Sequence, residues 1–145
     1  MWIEFISSLS AEVEFADPVN PESLGAATAA LEESIPEDLR SLLSEANGVT
    51  DEYGTEFIWS VEQVVARNRE MRGTVDFRSL YMPFDPLLFF GDSGGGDLFA
   101  FVQRPSRSDI FVWQHESDSR LWVANDLRDY LGRYLAAAGE DWYAS

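Results

Sequence analysis

Apolar positions along this chain follow two regimes. In the first half they recur at helical spacing: Trp2, Phe5, Ile6 and Leu9 obey the i, i+3, i+4, i+7 rule and predict a short amphipathic helix. The breaker Asp17-Pro18-Val19-Asn20-Pro21 follows, with Asn20 placed to cap a second helix and Pro21 to begin it. That helix runs to about Glu33, with Leu24, Ala27, Thr28 and Leu31 as a thin apolar stripe. Pro36 begins a third, with Glu37 and Asp38 in the first turn, where the helix dipole favours anions. Its stripe is Leu39, Leu42, Leu43 and Ala46, and Asn47-Gly48 supplies a left-handed ending. Phe57-Ile58-Trp59 reads as a strand. Ser60 and Gln63 form a capping-box pattern for a helix carrying Val61, Val64, Val65 and Met71, stopped near Gly73.

After Asp76 the pattern becomes one of strands. Leu87–Phe90, Leu98–Val102, Ile110–Gln114 and Leu121–Ala124 are short apolar or aromatic runs divided by turn chemistry. Arg104–Asp109 and Glu116–Ser119 have hairpin-loop length. A last helix starts at Asp126, with Leu127, Tyr130, Leu131, Tyr134 and Leu135 on one face and Gly139 just past its end. N-terminal helices, then a β-meander, then a closing helix predict an α+β fold with a largely antiparallel sheet flanked by helices. No repeat or linker divides the chain, so residues 1–145 read as a single domain.

Composition narrows the function classes. At 145 residues, 46% hydrophobic and 14% aromatic, the chain can bury about 68–70% of its unfolded surface and is not disordered. Charges in every long stretch exclude a membrane span. With no cysteine there is no disulfide scaffold, thiolate zinc site or Cys nucleophile, and one histidine, His115, leaves little for metal binding. No basic residue precedes an apolar run at the start, which is not how a secretory signal reads; the expectation is a soluble, cytoplasmic protein.

Charge changes the picture most. Residues 1–66 hold fourteen acids and one base, a net −13, whereas residues 67–145 hold twelve acids and nine bases, a net −3. Every base is arginine. Nucleic acid and anionic membranes attract clustered cations, so both are disfavoured as ligands. A basic protein partner is favoured, because a concentrated field of one sign steers encounter.

Gly91-Asp92-Ser93-Gly94-Gly95 matches two hydrolase signatures, the Gly-x-Ser-x-Gly elbow and the Gly-Asp-Ser-Gly-Gly of trypsin-like proteases. A nucleophilic Ser93 needs a base and oxyanion donors. No histidine precedes it, as the protease order requires. His115 follows it, but the glycines lead into a strand-like Leu98–Val102 where the α/β-hydrolase elbow needs a helix. A phosphate cradle needs a helix N-terminus and usually a lysine, which the chain lacks, and Asp92 with Asp97 fall short of the oxygens that Ca²⁺ requires. The reading that needs least is a structural turn: Gly91, Gly94, Gly95 and Gly96 permit a tight corner, with Asp92 and Asp97 bonding turn amides. No metal or cofactor site and no catalytic residue is expected. His115, beside Glu116 at a strand end, reads as a structural hydrogen-bonder or surface residue. Trp59, Trp113 and Trp122 read as core, and an aromatic left exposed and ringed by acids would be an interface anchor.

Five segments in this order resemble the SUKH superfamily, Smi/Knr-type branch. They are Ile35-Pro36-Glu37-Asp38-Leu39 through Asn47-Gly48; Phe57-Ile58-Trp59-Ser60-Val61-Glu62; Phe90-Gly91-Asp92-Ser93-Gly94-Gly95-Gly96-Asp97-Leu98-Phe99; Trp113-Gln114-His115-Glu116; and the Leu127–Leu135 helix. The resemblance covers about residues 21–138, leaves residues 1–20 as an N-terminal extension, and finds Gln114 where the family commonly has Asp. It implies an α+β domain without catalytic machinery that works by binding another protein. Bacterial members resembling this chain bind and neutralise a cognate toxin, often a nuclease; fungal ones regulate cell-wall assembly. An all-arginine set of bases fits a GC-rich bacterial genome. The expectation is an immunity protein whose contacts are Asp51, Glu52, Glu116 and Asp118, plus Asp92 and Asp97 if they point outward, with a scaffold or regulatory module as the alternative and a Ser93 hydrolase as a remote one.

Overall fold

The computed structural model describes residues 1–74, 80–103, 105–140 and 142–143; Asp76 and Arg104, named above, lie outside them. Among the described residues the chain forms helices α1 (Trp2–Leu9), α2 (Pro21–Leu31), α3 (Glu37–Glu45), α4 (Val61–Gly73) and α5 (Leu127–Ala136). Its strands are β1 (Glu14–Phe15), β2 (Val49–Thr50), β3 (Glu56–Ile58), β4 (Leu87–Asp92), β5 (Leu98–Gln103), β6 (Ser106–Gln114) and β7 (Ser119–Ala124). The fold is α+β with a β-meander and a closing helix, as its pattern predicts, but the strands divide into two antiparallel sheets, β1-β2-β3 and β4-β5-β6-β7.

The larger sheet is covered on both faces, which is why β4 and β5 read as unbroken apolar runs. Along β5 the pleat sends Phe99 and Phe101 to one side and Leu98 and Ala100 to the other. The first side packs on Tyr130, Leu131 and Tyr134 of α5 and on the stripes of α1, α2 and α3. The second packs on Val64 and Met71 of α4 and on Trp59, Phe84 and Trp113. Asn68, fully buried on α4, serves as a one-residue neighbour for edge strand β4: its Oδ1 accepts from Phe89 N at 2.8 Å and its Nδ2 donates to Phe89 O at 2.8 Å and to Val64 O at 2.7 Å. Trp59 N donates to Phe90 O at 2.8 Å and joins the two sheets along the same edge. At the opposite end of the order, β7 pairs only with β6 among the described residues, and Leu121 and Trp122 on it are exposed.

Helix ends follow local chemistry. Asn20 caps α2 by accepting from Glu22 N, Ser60 and Gln63 complete a reciprocal capping box on α4, and Asp126 accepts from Asp129 N. Two expectations are corrected. Helix α2 stops at Leu31, with Glu32 in the left-handed region, not at Glu33. Helix α3 leaves through an extended Ala46 rather than a left-handed Asn47-Gly48 cap, because the Asn47 side chain is drawn to the next helix, where Oδ1 accepts from Val61 N at 2.8 Å.

Residues 1–20, outside the resemblance, belong to the same core: Trp2, Ile6 and Val19 are buried, and β1 pairs with β2. The Glu45 carboxylate on α3 accepts from the backbone N–H groups of Trp2 and Ile3 and pairs with the N-terminal ammonium, closing the open end of α1.

Candidate functional site

The glycine corner joins β4 to β5. Gly91 is needed for close approach: a Cβ there would stand 2.2 Å from Phe57 O on β3. Gly94 (φ 93°) and Gly96 (φ 101°) hold positive dihedrals, and a Cβ on either would meet Thr55 or the His115 ring at 2.9 Å. Gly95 faces open space but for Ser93 Oγ, 3.9 Å away. The loop is closed by Ser93 N donating to Asp97 O at 3.1 Å, while Ser93 Oγ accepts from Gly95 N at 3.2 Å.

His115 is not engaged with Ser93. Its Nδ1 lies 2.6 Å from Asp97 Oδ1, which also accepts from His115 N at 3.0 Å, and its Nε2 stands 4.0 Å from the Glu116 carboxylate. The imidazole thus sits between two carboxylates, and no serine–histidine pair forms. Among the described residues, no group of three or more His, Asp or Glu side chains is arranged to hold a metal ion, and none of the helices is long and apolar enough to cross a membrane.

The six acids read from the sequence as contacts fall into two sets. Four point inward, each receiving a hydrogen bond from an aromatic side chain. Asp51 Oδ2 accepts from Tyr134 Oη at 2.7 Å, and its Oδ1 from Tyr53 N and Thr55 N at 2.9 Å each. Asp92 accepts from Trp59 Nε1 at 2.8 Å, Asp97 Oδ2 from Tyr143 Oη at 3.0 Å, and Asp118 Oδ1 from Trp113 Nε1 at 2.7 Å. These carboxylates tie large aromatic rings into the fold, since a buried indole N–H or phenol O–H needs an acceptor. Asp92 and Asp97 thus do not meet the condition of pointing outward, and they accept from Trp59, Tyr143 and His115 rather than from the turn amides expected. Burial pushes the Asp118 carboxyl up, but Met82 N, the Trp113 indole and Arg120 outweigh it and hold it below the usual carboxylate range. Tyr134 stacks on Phe57 with centroids 4.4 Å apart, and burial, then the bond to Asp51, push its phenol far above the ordinary value.

The other two, Glu52 and Glu116, are exposed. Glu52 joins a larger set of exposed acids in the first 66 residues, among them Glu12, Glu14, Glu32, Glu37 and Glu56. Glu14 and Glu56 flank Thr50 across the small sheet. Glu32 and Glu37 line a groove of about 700 Å³ between the α2–α3 connection and the β5–β6 hairpin, which also holds Arg40 and the Arg72-paired Glu33. Trp59 and Trp113 are core, but Trp122 is 45% exposed, with the Arg133 guanidinium 5.5 Å from its centroid and the Asp109 carboxylate in hydrogen-bond contact with its side chain. Tyr53, which the sequence reading passes over, is 59% exposed in the turn after Asp51-Glu52. An aromatic inside an acidic, glycine-bearing turn is the local signal that marks it.

A sequence model of the SUKH type described as SMI1-KNR4 cell-wall matches residues 22–131. No curated protein sequence matches the chain.

Proposed function

The chain belongs to the SMI1-KNR4 family, and from that premise we propose that it is an intracellular, non-enzymatic immunity protein that neutralises a cognate toxin domain, a nuclease being the best fit, by direct binding. The observation that carries this reading is the sign and placement of exposed charge. Arg40 is the only base in residues 1–66, while Glu12, Glu14, Glu32, Glu37, Glu52 and Glu56 stand in solvent. A nuclease presents a basic groove to its substrate's phosphates. An acidic protein surface competes for that groove, with charge raising the association rate and buried contacts setting the residence time. Asp51, Asp92, Asp97 and Asp118 contribute to the field but are committed to aromatic donors, so Glu52 and Glu116 are the contacts retained from the sequence.

The test is co-expression and pull-down with the toxin domain encoded beside this gene. Capture together with restored growth is expected, and raising salt from ~50 to ~500 mM should slow association while leaving dissociation nearly unchanged. Undiminished toxicity would sink the proposal. The cell-wall description of the matched family favours a second reading, a regulatory module of the same fold with another protein client; capture of a non-toxin partner without protection would select it.

A further inference from the structure

Between the end of α1 and the end of α5 lies a cleft of about 140 Å³, lined by Leu9, Glu12, Glu52, Tyr53, Tyr134 and Leu135 among others. Its volume corresponds to roughly five waters, enough for one long side chain and too little for a helix. Leu9 and Tyr53 remain 40% and 59% exposed at its mouth, so an aliphatic and an aromatic side chain stand there beside Ser10 and the carboxylates. Three independent sources of negative potential converge there. Exposed Glu12 and Glu52 form part of the rim, and Asp51 contributes from behind it. The C-terminal end of α5, with its negative dipole end, borders the cleft, and just beyond it Ala138 O accepts the Tyr53 hydroxyl at 3.0 Å. The π-face of Tyr53 is the third; its ring rests against Gly139, whose φ of 88° and missing Cβ admit it. A hydrogen bond with the Glu52 carboxylate and that carboxylate's charge, then burial and the charges of Asp51 and Glu140, push the Tyr53 phenol above its ordinary value. No arginine is among the lining residues.

We infer that this cleft receives a single arginine or lysine side chain projecting from a protein partner, the apolar stem lying between Leu9 and Tyr53 and the cation meeting the Glu12–Glu52 rim beside the C-terminal end of α5. The inference rests on the cationic-partner reading above and adds to it a location and a chemistry. The larger groove beside Glu32 and Glu37 suits this role less well, because Arg40 lies within it and its Glu33 is already paired with Arg72.

The probe is a short arginine peptide titrated into isotope-labelled protein and followed by amide chemical shifts, with the same peptide carrying neutral citrulline as the comparison. Saturable shifts at Leu9–Glu12, Glu52–Tyr53 and Leu135–Gly139, with arginine and not citrulline, are expected. Tyr53→Ala should weaken binding about tenfold or more. Glu12→Gln, at an exposed position where folding is not at stake, should weaken it several-fold. Shifts centred on Glu32–Arg40 instead, or affinities indifferent to Tyr53→Ala and Glu12→Gln, overturn the inference and leave the acidic-surface reading standing. Absence of any saturable binding by the arginine peptide overturns the inference, while the acidic-surface reading stands or falls on the toxin pull-down.

Discussion

Replacing Gly91 with alanine places a methyl group where β3 and β4 leave no room. The new Cβ would lie 2.2 Å from Phe57 O and 2.9 Å from Phe57 C, and both are backbone atoms that cannot swing aside as a side chain would. Restoring ordinary contact at ~3.5 Å moves β3 away by roughly 1 Å. Two hydrogen bonds depend on the position of β3 there: Trp59 N to Phe90 O at 2.8 Å across the seam, and Tyr130 Oη of α5 to Phe57 O at 2.8 Å. Weakening both costs about 1 kcal/mol each, and overpacking adds about 1–3 kcal/mol. The expected loss is therefore about 3–5 kcal/mol, a large part of the ~5–15 kcal/mol that a domain has in total. For a chain of this length that is a Tm lower by roughly 10–15 °C. Gly95→Ala is the control, since its nearest neighbour is Ser93 Oγ at 3.9 Å and its φ is not positive; it should stay within about 0.5 kcal/mol of the parent. Thermal melts and urea titrations of the two variants read the difference directly. A Gly91→Ala protein melting within 2–3 °C of the parent (about 1 kcal/mol at this size), or an equally damaging Gly95→Ala, would show that the seam does not depend on this contact.

Two further outcomes follow from buried polar groups. Asn68→Leu keeps the side chain's size but strands the N–H and C=O of Phe89, and should cost about 2–4 kcal/mol by urea unfolding, with no change in m-value. Acid should destabilise the fold through Asp118, Asp129 and Glu45, all held below their ordinary carboxyl values in the folded state. For Asp129 the Asn125 N–H bond does most of this; for Glu45 burial pushes upward but is outweighed by the Trp2 and Ile3 N–H groups. Because the folded values lie below the unfolded ones, their stabilisation is complete above the unfolded carboxyl range near ~4 and disappears as pH falls through the depressed values. The urea midpoint should therefore fall between pH 5 and pH 3, and Asp118→Asn should lower it at pH 5 while flattening its slope; an unchanged slope in the variant would remove Asp118 from the account.

Helices and long strands were legible because each repeats one period over enough residues to be counted. The stripe Leu39, Leu42, Leu43 and Ala46 is wholly buried, and Leu98–Val102 is a strand covered on both faces. Strands β1 and β2 were not legible: two residues carry no period, and their pairing joins Glu14 to Thr50 and Phe15 to Val49 across thirty-four or more positions. The same distance explains the aspartates. For three of the four, whether the carboxylate faces water or an aromatic donor is decided by which ring arrives from far along the chain. Asp51 meets Tyr134 across 83 positions, Asp97 meets Tyr143 across 46 and Asp92 meets Trp59 across 33, whereas Asp118 meets Trp113 only five positions away, across the β6–β7 turn. Local chemistry places an acid in a turn correctly but says nothing of that arrival. The corner at Gly91–Asp97, by contrast, could be read, because positive φ and close approach leave glycine as a local trace.

The unpaired outer side of β7 has a consequence for handling. With no partner strand on that side among the described residues, and with uncovered Leu121 and Trp122 beside it, this edge is the kind of rim onto which another chain can add. At neutral pH the surplus of sixteen negative charges keeps molecules apart. Near pH 4.1 that repulsion vanishes while the rim stays open, so concentrated stocks should turn turbid by rim-to-rim growth close to the isoelectric point.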